Sequence, residues 1–183
     1  PTVSEVRAIL ANSPAHLYRA ILLAYYTGVR PGAVELYRLK WHDVDLFGNN
    51  IMVTSAEKGG TRKRDIPIMD RDFKKLLKKW LKEDQAAKKK LDDYIITYRG
   101  NQVVSLKRSW QKAKIAAKIT RRIRMYDLRH SFATKLLDNG GDLKHVSILL
   151  GHSSIQQTVD TYQHKSKKLS TEAMKKLPSV LKK

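Results

Sequence analysis

The chain has 183 residues, 42% hydrophobic and 30% charged, so it can bury one core, is too short for two comfortable domains and is not a disordered polymer. It contains no cysteine and no apolar run near the roughly 20 residues of a membrane span, which excludes disulfides, thiolate metal sites and a transmembrane helix. Its 37 Lys and Arg residues against 17 Asp and Glu give a formal net charge of +20, which favours a polyanionic partner such as DNA, RNA or an anionic membrane.

The first third of the chain predicts three helices. Thr2 and Glu5 form a capping-box pattern, so the first helix is predicted over 3–11. Apolar residues at helical spacing predict a second helix over 16–27, which Gly28 terminates. Pro31 suits the first turn of a third, short helix that continues to Tyr37.

The middle of the chain predicts a β-hairpin followed by helices. Two strands over 51–55 and 62–68 flank Gly59-Gly60, a sequence typical of a hairpin turn. A Lys-rich helix is predicted to follow Asp70 and to reach about Leu81. Residues 94–97 are predicted as a short strand or extended segment, and 103–118 as a helix.

The last third predicts three more helices and a tail. Asp127 and Asp142 are predicted N-caps of helices that end at Asn139-Gly140 and at Gly151. A further short helix is predicted to begin near Ser154 and to carry Tyr162, and 166–183 form a basic tail with an apolar stripe. The predicted fold class is therefore mainly α with a small antiparallel β-sheet (α+β).

Two features bear on where the protein works and what it binds. No signal peptide opens the chain, so we expect an intracellular, cytoplasmic protein, and its first residue, Pro1 in place of Met, indicates a piece of a longer one. A membrane partner is disfavoured because no predicted helix pairs a basic face with an exposed aromatic face.

Basic residues cluster in four segments, namely 58–64, 74–90, 121–124 and 165–183. A single cluster is usually solvated surface, but four in one small domain favour a nucleic-acid surface. The candidates for DNA contact are Arg62, Lys63, Arg64, Arg121, Arg122 and Arg124.

Two arginines lie where an anion could be held. Arg30 falls on a tight turn between Gly28, which stops one helix, and Pro31, which suits the start of the next, so its guanidinium would project from a fixed point. Arg129 lies in the first turn of a predicted helix, where free N–H groups and the helix dipole favour an anion. Either arginine alone is most simply a surface charge, whereas the pair could clamp one phosphodiester.

Three further residues are unremarkable when taken singly. His152 follows a helix-ending glycine, where a capping role is the simple explanation. Tyr162 is one of 8 tyrosines in the chain. Most tyrosines in proteins pack their ring against other side chains and leave the hydroxyl in contact with solvent. Lys58, at the hairpin bend, is most simply explained as a solvated side chain.

These residues together, in this order, form a recognisable pattern. The segments TGVRPGAVELYRLKWHDVDL, a hairpin lysine, YDLRHSFAT and LGHSS are followed by Tyr162, ten residues after His152. The pattern closely resembles the tyrosine recombinase family, which includes the phage-type integrases, and it extends over residues 3 to about 164.

The resemblance implies a role for each residue of the pattern. Arg30 and Arg129 would clamp the scissile phosphate, and His152 would donate a hydrogen bond to one of its oxygens. Lys58 would protonate the leaving 5′ oxygen, and Tyr162 would be the nucleophile. Glu35 matches the acidic position that supports the first arginine.

One position departs from the usual pattern. The family's first active-site histidine precedes the second arginine by three residues, and here Tyr126 holds that place. A tyrosine hydroxyl can donate a hydrogen bond to phosphate, but with an ordinary pKa near ~10 it is a poor general base at neutral pH. The proton-acceptor role at this position is therefore in doubt.

The resemblance also implies the reaction and its partners. It implies site-specific DNA recombination or integration, in a mobile genetic element, through a covalent 3′-phosphotyrosine intermediate formed without ATP, metal or other cofactor. The catalytic domain would comprise 1–165, and the tail 166–183 would dock on a neighbouring protomer in a tetramer on paired duplexes. The family's N-terminal core-binding domain would lie outside this chain, and the isolated fragment would be a monomer. The 6 histidines fit no zinc-binding spacing.

Three alternatives remain open at this point. A type IB topoisomerase shares this chemistry and would relax supercoils, although the spacing from LGHSS to the tyrosine and the small size favour the recombinase. If the chain were a DNA-binding module without catalysis, Tyr126 would reflect the loss of an active-site histidine, but the other five site residues are intact. A basic RNA-binding protein would leave the ordered motifs unexplained.

Overall fold

The computed structural model describes residues 1–57, 60–152 and 154–162, and their side chains except those of 56–62. The chain divides into two compact units, the first spanning Pro1–Phe132 and the second beginning at Ala133. Helices dominate, with a three-stranded antiparallel sheet and a two-stranded hairpin, which confirms the predicted fold class. Lys58 and the tail 166–183 lie outside the described residues.

The first two helices begin and end where local chemistry predicts. Helix α1 spans Val3–Ala11, and Thr2 and Glu5 form the predicted capping box at its N-terminus. Helix α2 spans Ala15–Thr27 and ends at Gly28, whose left-handed φ of 64° a side chain would strain. Seven residues of α2 are buried, so this helix forms the centre of the first unit.

The predicted third helix over 31–37 is wrong. Residues 31–35 form a succession of turns, and only Leu36–Arg38 make a short 3-10 helix. The Glu35 carboxylate accepts a hydrogen bond from the Arg30 amide at 2.8 Å, and the Leu36 amide donates to the Arg30 carbonyl at 3.2 Å. These two bonds close a wide loop that replaces the helical pattern.

The predicted β-hairpin is confirmed and gains a third strand. After a second 3-10 helix at Trp41–Asp43, strands β1 (Val44–Asp45), β2 (Asn50–Glu57) and β3 (Gly60–Pro67) pair antiparallel in the order β1-β2-β3. The register places Arg64 opposite Val53. Since alternate residues of a strand face one side of the sheet, Arg64 faces the core together with Val53.

Helix α3 spans Arg71–Ala86, about one turn beyond its predicted end, with Asp70 as its N-cap. It packs on α2, where the rings of Tyr26 and Phe73 stack with centroids 4.4 Å apart. Near its C-terminus the buried Asp84 accepts two hydrogen bonds from the Arg19 guanidinium, at 2.8 and 3.0 Å. This contact with α2 explains why α3 continues past the point at which its Lys-rich pattern fades.

A short hairpin and a helix complete the part of the first unit that precedes α5. Strands β4 (Thr97–Tyr98) and β5 (Asn101–Gln102) pair antiparallel, and helix α4 spans Lys107–Ala116. The predicted helix over 103–118 is thus shorter at both ends, since α4 begins only after Leu106 and ends at Ala116. Of the predicted segment 94–97, Thr97 begins β4 and Tyr94 makes an isolated bridge to Lys40.

Helix α5 spans Asp127–Asp138 and crosses the boundary between the two units. The prediction of Asp127 as N-cap is wrong. Its carboxylate accepts a hydrogen bond from the Arg124 amide at 2.8 Å and pairs with the Arg124 guanidinium at 3.0 Å. Asp127 therefore belongs to the first turn, and Arg129 is its third residue.

The second unit continues with two short helices, α6 (Leu143–Leu150) and α7 (Ile155–Thr161). Asp142 is confirmed as the N-cap of α6, which ends at Gly151 with φ 69°. Tyr162 is the C-cap residue of α7. In the described part of the chain, every helix is too short or too polar to cross a bilayer.

Candidate active site

The first element of the site is the loop that follows α2. Gly28 ends the helix, and Arg30 emerges two residues later with 31% of its side chain exposed. Its backbone amide is held by the Glu35 carboxylate at 2.8 Å. The predicted fixed position of Arg30 thus rests on a hydrogen bond across the loop as well as on the glycine and proline that flank it.

Glu35 is the residue that the other side chains of this cluster surround. Its side chain is fully buried, and it also accepts a hydrogen bond from the Ser55 hydroxyl at 2.6 Å. Burial raises the pKa of this carboxyl, but hydrogen bonds from Arg64, Ser55 and the Arg30 amide outweigh burial, and the pKa lies below its ordinary value. Glu35 is therefore a buried carboxylate anion.

Among the described side chains, the closest cation to Glu35 is Arg64, from strand β3. Its NH2 lies 2.6 Å from Glu35 Oε2, and its NH1 lies 3.1 Å from Glu35 Oε1 and 2.8 Å from the Ser55 hydroxyl. Arg64 is only 9% exposed. Strands β2 and β3 are thereby joined to the loop that carries Arg30.

Arg129 reaches the same carboxylate from helix α5. Its NH1 lies 3.9 Å from Glu35 Oε2 and donates a hydrogen bond to the Gly28 carbonyl at 2.9 Å. Burial lowers the pKa of Arg129 to about 10, with Glu35 raising it and the neighbouring charge of Arg30 lowering it. The side chain remains a cation at neutral pH.

Arg30 and Arg129, which are 99 positions apart in the sequence, thus converge within the first unit. The Arg30 Nε lies 3.8 Å from Glu35 Oε1, on the other oxygen of the same carboxylate. Three guanidinium groups around one carboxylate leave this cluster with a net charge of +2. A preorganised cationic cluster of this kind stabilises an oxyanion.

Tyr126 lies just before α5 and is 41% exposed. Its ring meets the His130 ring edge-on, with centroids 5.3 Å apart. The backbone carbonyl of Tyr126 accepts from the Arg129 amide at 3.1 Å, so the tyrosine and the arginine share the same first turn.

In the second unit, His152 follows the helix-ending Gly151. Its Nδ1 is 2.6 Å from the Thr158 hydroxyl, and Thr158 is fully buried in α7. The hydroxyl therefore fixes the orientation of the imidazole ring relative to the helix that leads to Tyr162. Tyr162 itself is only 4% exposed.

The six residues predicted to contact DNA have different environments. Lys63 and Arg122 are exposed, Arg124 pairs with Asp127, and Arg121 forms two short bonds to Glu5, at 2.5 and 2.6 Å. Arg64 is buried against Glu35, so its guanidinium is engaged within the protein. The side chain of Arg62 lies outside the described residues.

Sequence reasoning missed Ser55 and Arg64 as the inner partners of Glu35. The signal was present in the β-strand alternation, since Arg64, Ile66 and Ile68 are spaced two apart and all three are buried. No group of three His, Asp or Glu side chains that could hold a metal ion occurs in the described part of the chain.

Comparison with known proteins places this geometry in a family. Residues 2–168 match the sequence profile of the phage integrase family. The tyrosine recombinase XerD of Staphylococcus saprophyticus is 34% identical over 176 residues, which cover 90% of this chain and 57% of that protein. The chain spans about half the length of the curated relatives it matches.

Two solved structures share the fold. The XerA recombinase superposes with a TM-score of 0.71 at 25% identity, covering 98% of this chain and 65% of that one. The Tn1549 transposon integrase, solved in complex with circular intermediate DNA, superposes with a TM-score of 0.73 at 20% identity, covering 97% of this chain and 66% of that one.

Proposed function

The chain belongs to the phage integrase family, and from that premise we propose that it is the catalytic domain of a site-specific tyrosine recombinase. Its substrate is double-stranded DNA, which it cuts and rejoins through a phosphotyrosine intermediate. The observation that carries the proposal is the convergence of Arg30 and Arg129 on opposite oxygens of Glu35, at 3.8 and 3.9 Å.

The arginine cluster stabilises the charge of the transition state. In-line attack on a phosphodiester concentrates negative charge on the equatorial oxygens, and guanidinium groups match that geometry with two N–H donors each. Arg30 and Arg129 provide these donors from rigid positions. His152, whose Nδ1 is 2.6 Å from the Thr158 hydroxyl, donates a hydrogen bond to a phosphate oxygen.

The chemical step is a transesterification. Tyr162 gives its phenolic proton to water and its oxygen attacks the phosphorus, the bond from phosphorus to the 5′ oxygen breaks, and Lys58 transfers a proton to that 5′ oxygen. The 3′-phosphotyrosine retains the energy of the broken bond, so a 5′ hydroxyl of another strand can reverse the step without ATP.

Two finer features follow from the family pattern, and a third follows from the basic clusters of the sequence. Tyr126, at 41% exposure, donates a hydrogen bond to phosphate where the usual histidine would act. The tail 166–183 docks on a neighbouring protomer in a tetramer on two duplexes, and the fragment alone is a monomer. The exposed Lys63 and Arg122 contact the DNA backbone.

A nicked duplex that loses the cleaved end traps the covalent intermediate and tests the proposal. We expect the wild-type chain to form a protein–DNA adduct and Tyr162→Phe to form none, with DNA affinity unchanged within about twofold because only the nucleophilic oxygen is lost. Tyr98→Phe, at a half-exposed tyrosine of the β4–β5 hairpin, serves as the control and should form the adduct normally. An adduct that survives Tyr162→Phe would overturn the assignment.

A further inference from the structure

Arg64 is a buried cation that the cleavage chemistry does not use. It is 9% exposed and lies on the inward face of β3, two residues from the buried Ile66. Placing a guanidinium in such a position is costly unless it is fully paired. The group that pairs with Arg64 is the Glu35 carboxylate.

The Glu35 carboxylate is saturated by short hydrogen bonds. A carboxylate accepts about four, and Glu35 receives four within 3.1 Å. Arg64 supplies two of them, one to each oxygen, while the Ser55 hydroxyl and the Arg30 amide supply the others. The lone pairs of Glu35 are thus used by groups other than the Arg30 and Arg129 guanidiniums.

The distances to those two guanidiniums fit this saturation. Arg30 Nε and Arg129 NH1 lie 3.8 and 3.9 Å from the nearest Glu35 oxygens, beyond hydrogen-bond range. Both guanidiniums are close enough to be attracted by the negative charge of Glu35, but they are too far from it to form hydrogen bonds. An unsaturated buried carboxylate would draw them into short ion pairs, because charge-assisted bidentate contacts are the strongest available to it.

We propose that Arg64 is a positioning residue that occupies Glu35 and thereby keeps the Arg30 and Arg129 guanidiniums from being captured by it. The inference rests on the proposed function in that the captured arginines are those that bind the scissile phosphate. Lysine could not replace Arg64 fully, since one ammonium group cannot bond both carboxylate oxygens in the same fork.

The test compares Arg64→Gln, Glu35→Gln and the double variant in single-turnover cleavage at saturating DNA. Arg64→Gln should slow cleavage by on the order of tenfold, because Arg30 and Arg129 collapse onto Glu35. The double variant should be faster than Arg64→Gln, because the carboxylate that captures the arginines is gone. A double variant as slow as Arg64→Gln, or slower, would overturn the proposal.

Two further measurements exclude a passive structural role. Arg64→Lys keeps the buried charge and should fold like wild type, as thermal unfolding will show, yet recover only part of the rate. A duplex with sulfur in place of the bridging 5′ oxygen needs no proton on its leaving group. The Arg64→Gln defect should persist on it, and recovery of the rate would place the effect of Arg64 on the hairpin lysine instead.

A crystal structure of Arg64→Gln tests the displacement without any cleavage assay. We expect the Arg30 Nε to approach Glu35 Oε1 from 3.8 Å to a hydrogen-bond distance of roughly 3 Å. An unchanged separation would contradict the proposal even if the variant is inactive. Absence of any adduct from the wild-type chain would refute the recombinase function instead, and the crystallographic result would still decide the role of Arg64.

Discussion

At the scale of single residues, the site is organised around a buried charge. Glu35 holds the Arg30 amide and lies near three guanidiniums, so a net charge of +2 is presented by side chains that need little rearrangement to meet an anion. Burial lowers the pKa of Arg129 to about 10, which is still far above neutral pH. The cluster therefore stays charged at neutral pH.

The arginine clamp predicts how lysine substitutions behave. Arg30→Lys and Arg129→Lys should each lower the single-turnover cleavage rate by about 10²-fold or more, because a lysine cannot reproduce two parallel N–H donors. DNA affinity should fall far less than the rate, since most affinity comes from other phosphate contacts. Arg7→Lys, on the exposed surface of α1, is the control and should cleave normally. Normal cleavage by both site variants would disprove the clamp.

Gly28 joins the clamp to the packing of α5. A Cβ built on Gly28 would lie 2.3 Å from Cδ1 of Phe132, and the Gly28 carbonyl accepts the Arg129 bond. Gly28→Ala should therefore lose about 1–3 kcal/mol of unfolding free energy and also slow cleavage.

Gly140→Ala is the matched control for this substitution. Gly140 also has a positive φ, 86°, but nothing lies within 4 Å of its added Cβ, so only the backbone cost of about 1 kcal/mol is expected. Urea unfolding of the two variants gives the comparison. Equal losses would show that the contact with Phe132 does not matter.

At the scale of elements, α3 is held on α2 by a second buried carboxylate, Asp84. It accepts hydrogen bonds from the Arg19 guanidinium, from the Trp41 indole at 2.9 Å and from the Lys89 ammonium at 3.1 Å. Burial raises the pKa of this carboxyl, but the bonds from these three donors lower it below its ordinary value of 3.8. The contribution of Asp84 to stability is therefore fully present above that value.

Asp84→Asn should cost about 3–5 kcal/mol of unfolding free energy at neutral pH, because it removes the charge from a buried, paired site. Asp72→Asn, whose partner Lys75 is exposed on the same helix, should change it by less than about 1 kcal/mol. The advantage of wild type over Asp84→Asn should shrink as pH falls below 3.8 through the lowered pKa. A difference that is constant with pH would refute the assignment of the charge.

Sequence predicted the elements whose ends are set by local chemistry. The capping box at Thr2, the glycine at position 28, the helix start after Asp70 and the cap at Asp142 lie where the pattern placed them. The predicted helix over 31–37 failed because the hydrogen bond from the Arg30 amide to Glu35 outweighs the helical signal of Pro31.

The site, too, was predictable only in part. The arginine pair and Glu35 came from spacing and from the family resemblance, whereas the pairing of Glu35 with Arg64 depends on β-strand register. Because residues 58–64 are rich in basic side chains, the sequence alone did not show that the strand alternates, with Arg64 buried and Lys63 exposed. Charge composition alone cannot distinguish a cation that faces solvent from one that faces the core.

At the scale of the whole molecule, the net charge of +20 predicts how the chain binds DNA. Affinity should come mainly from phosphate contacts and the release of counterions, at about 0.9 units of salt slope for each phosphate. We expect a slope of log K against log salt steeper than about −4 and little difference between a target and a scrambled duplex of equal length. Tight, salt-insensitive binding to one sequence would be inconsistent with this account.

The most direct test of the central claim is to identify the residue that carries DNA in the trapped adduct. Nuclease and protease digestion followed by mass spectrometry locates the modified peptide among those containing the 8 tyrosines. The account predicts a nucleotide 3′-phosphate linked to the phenolic oxygen of Tyr162, the residue that follows helix α7. A linkage to any other residue would contradict it.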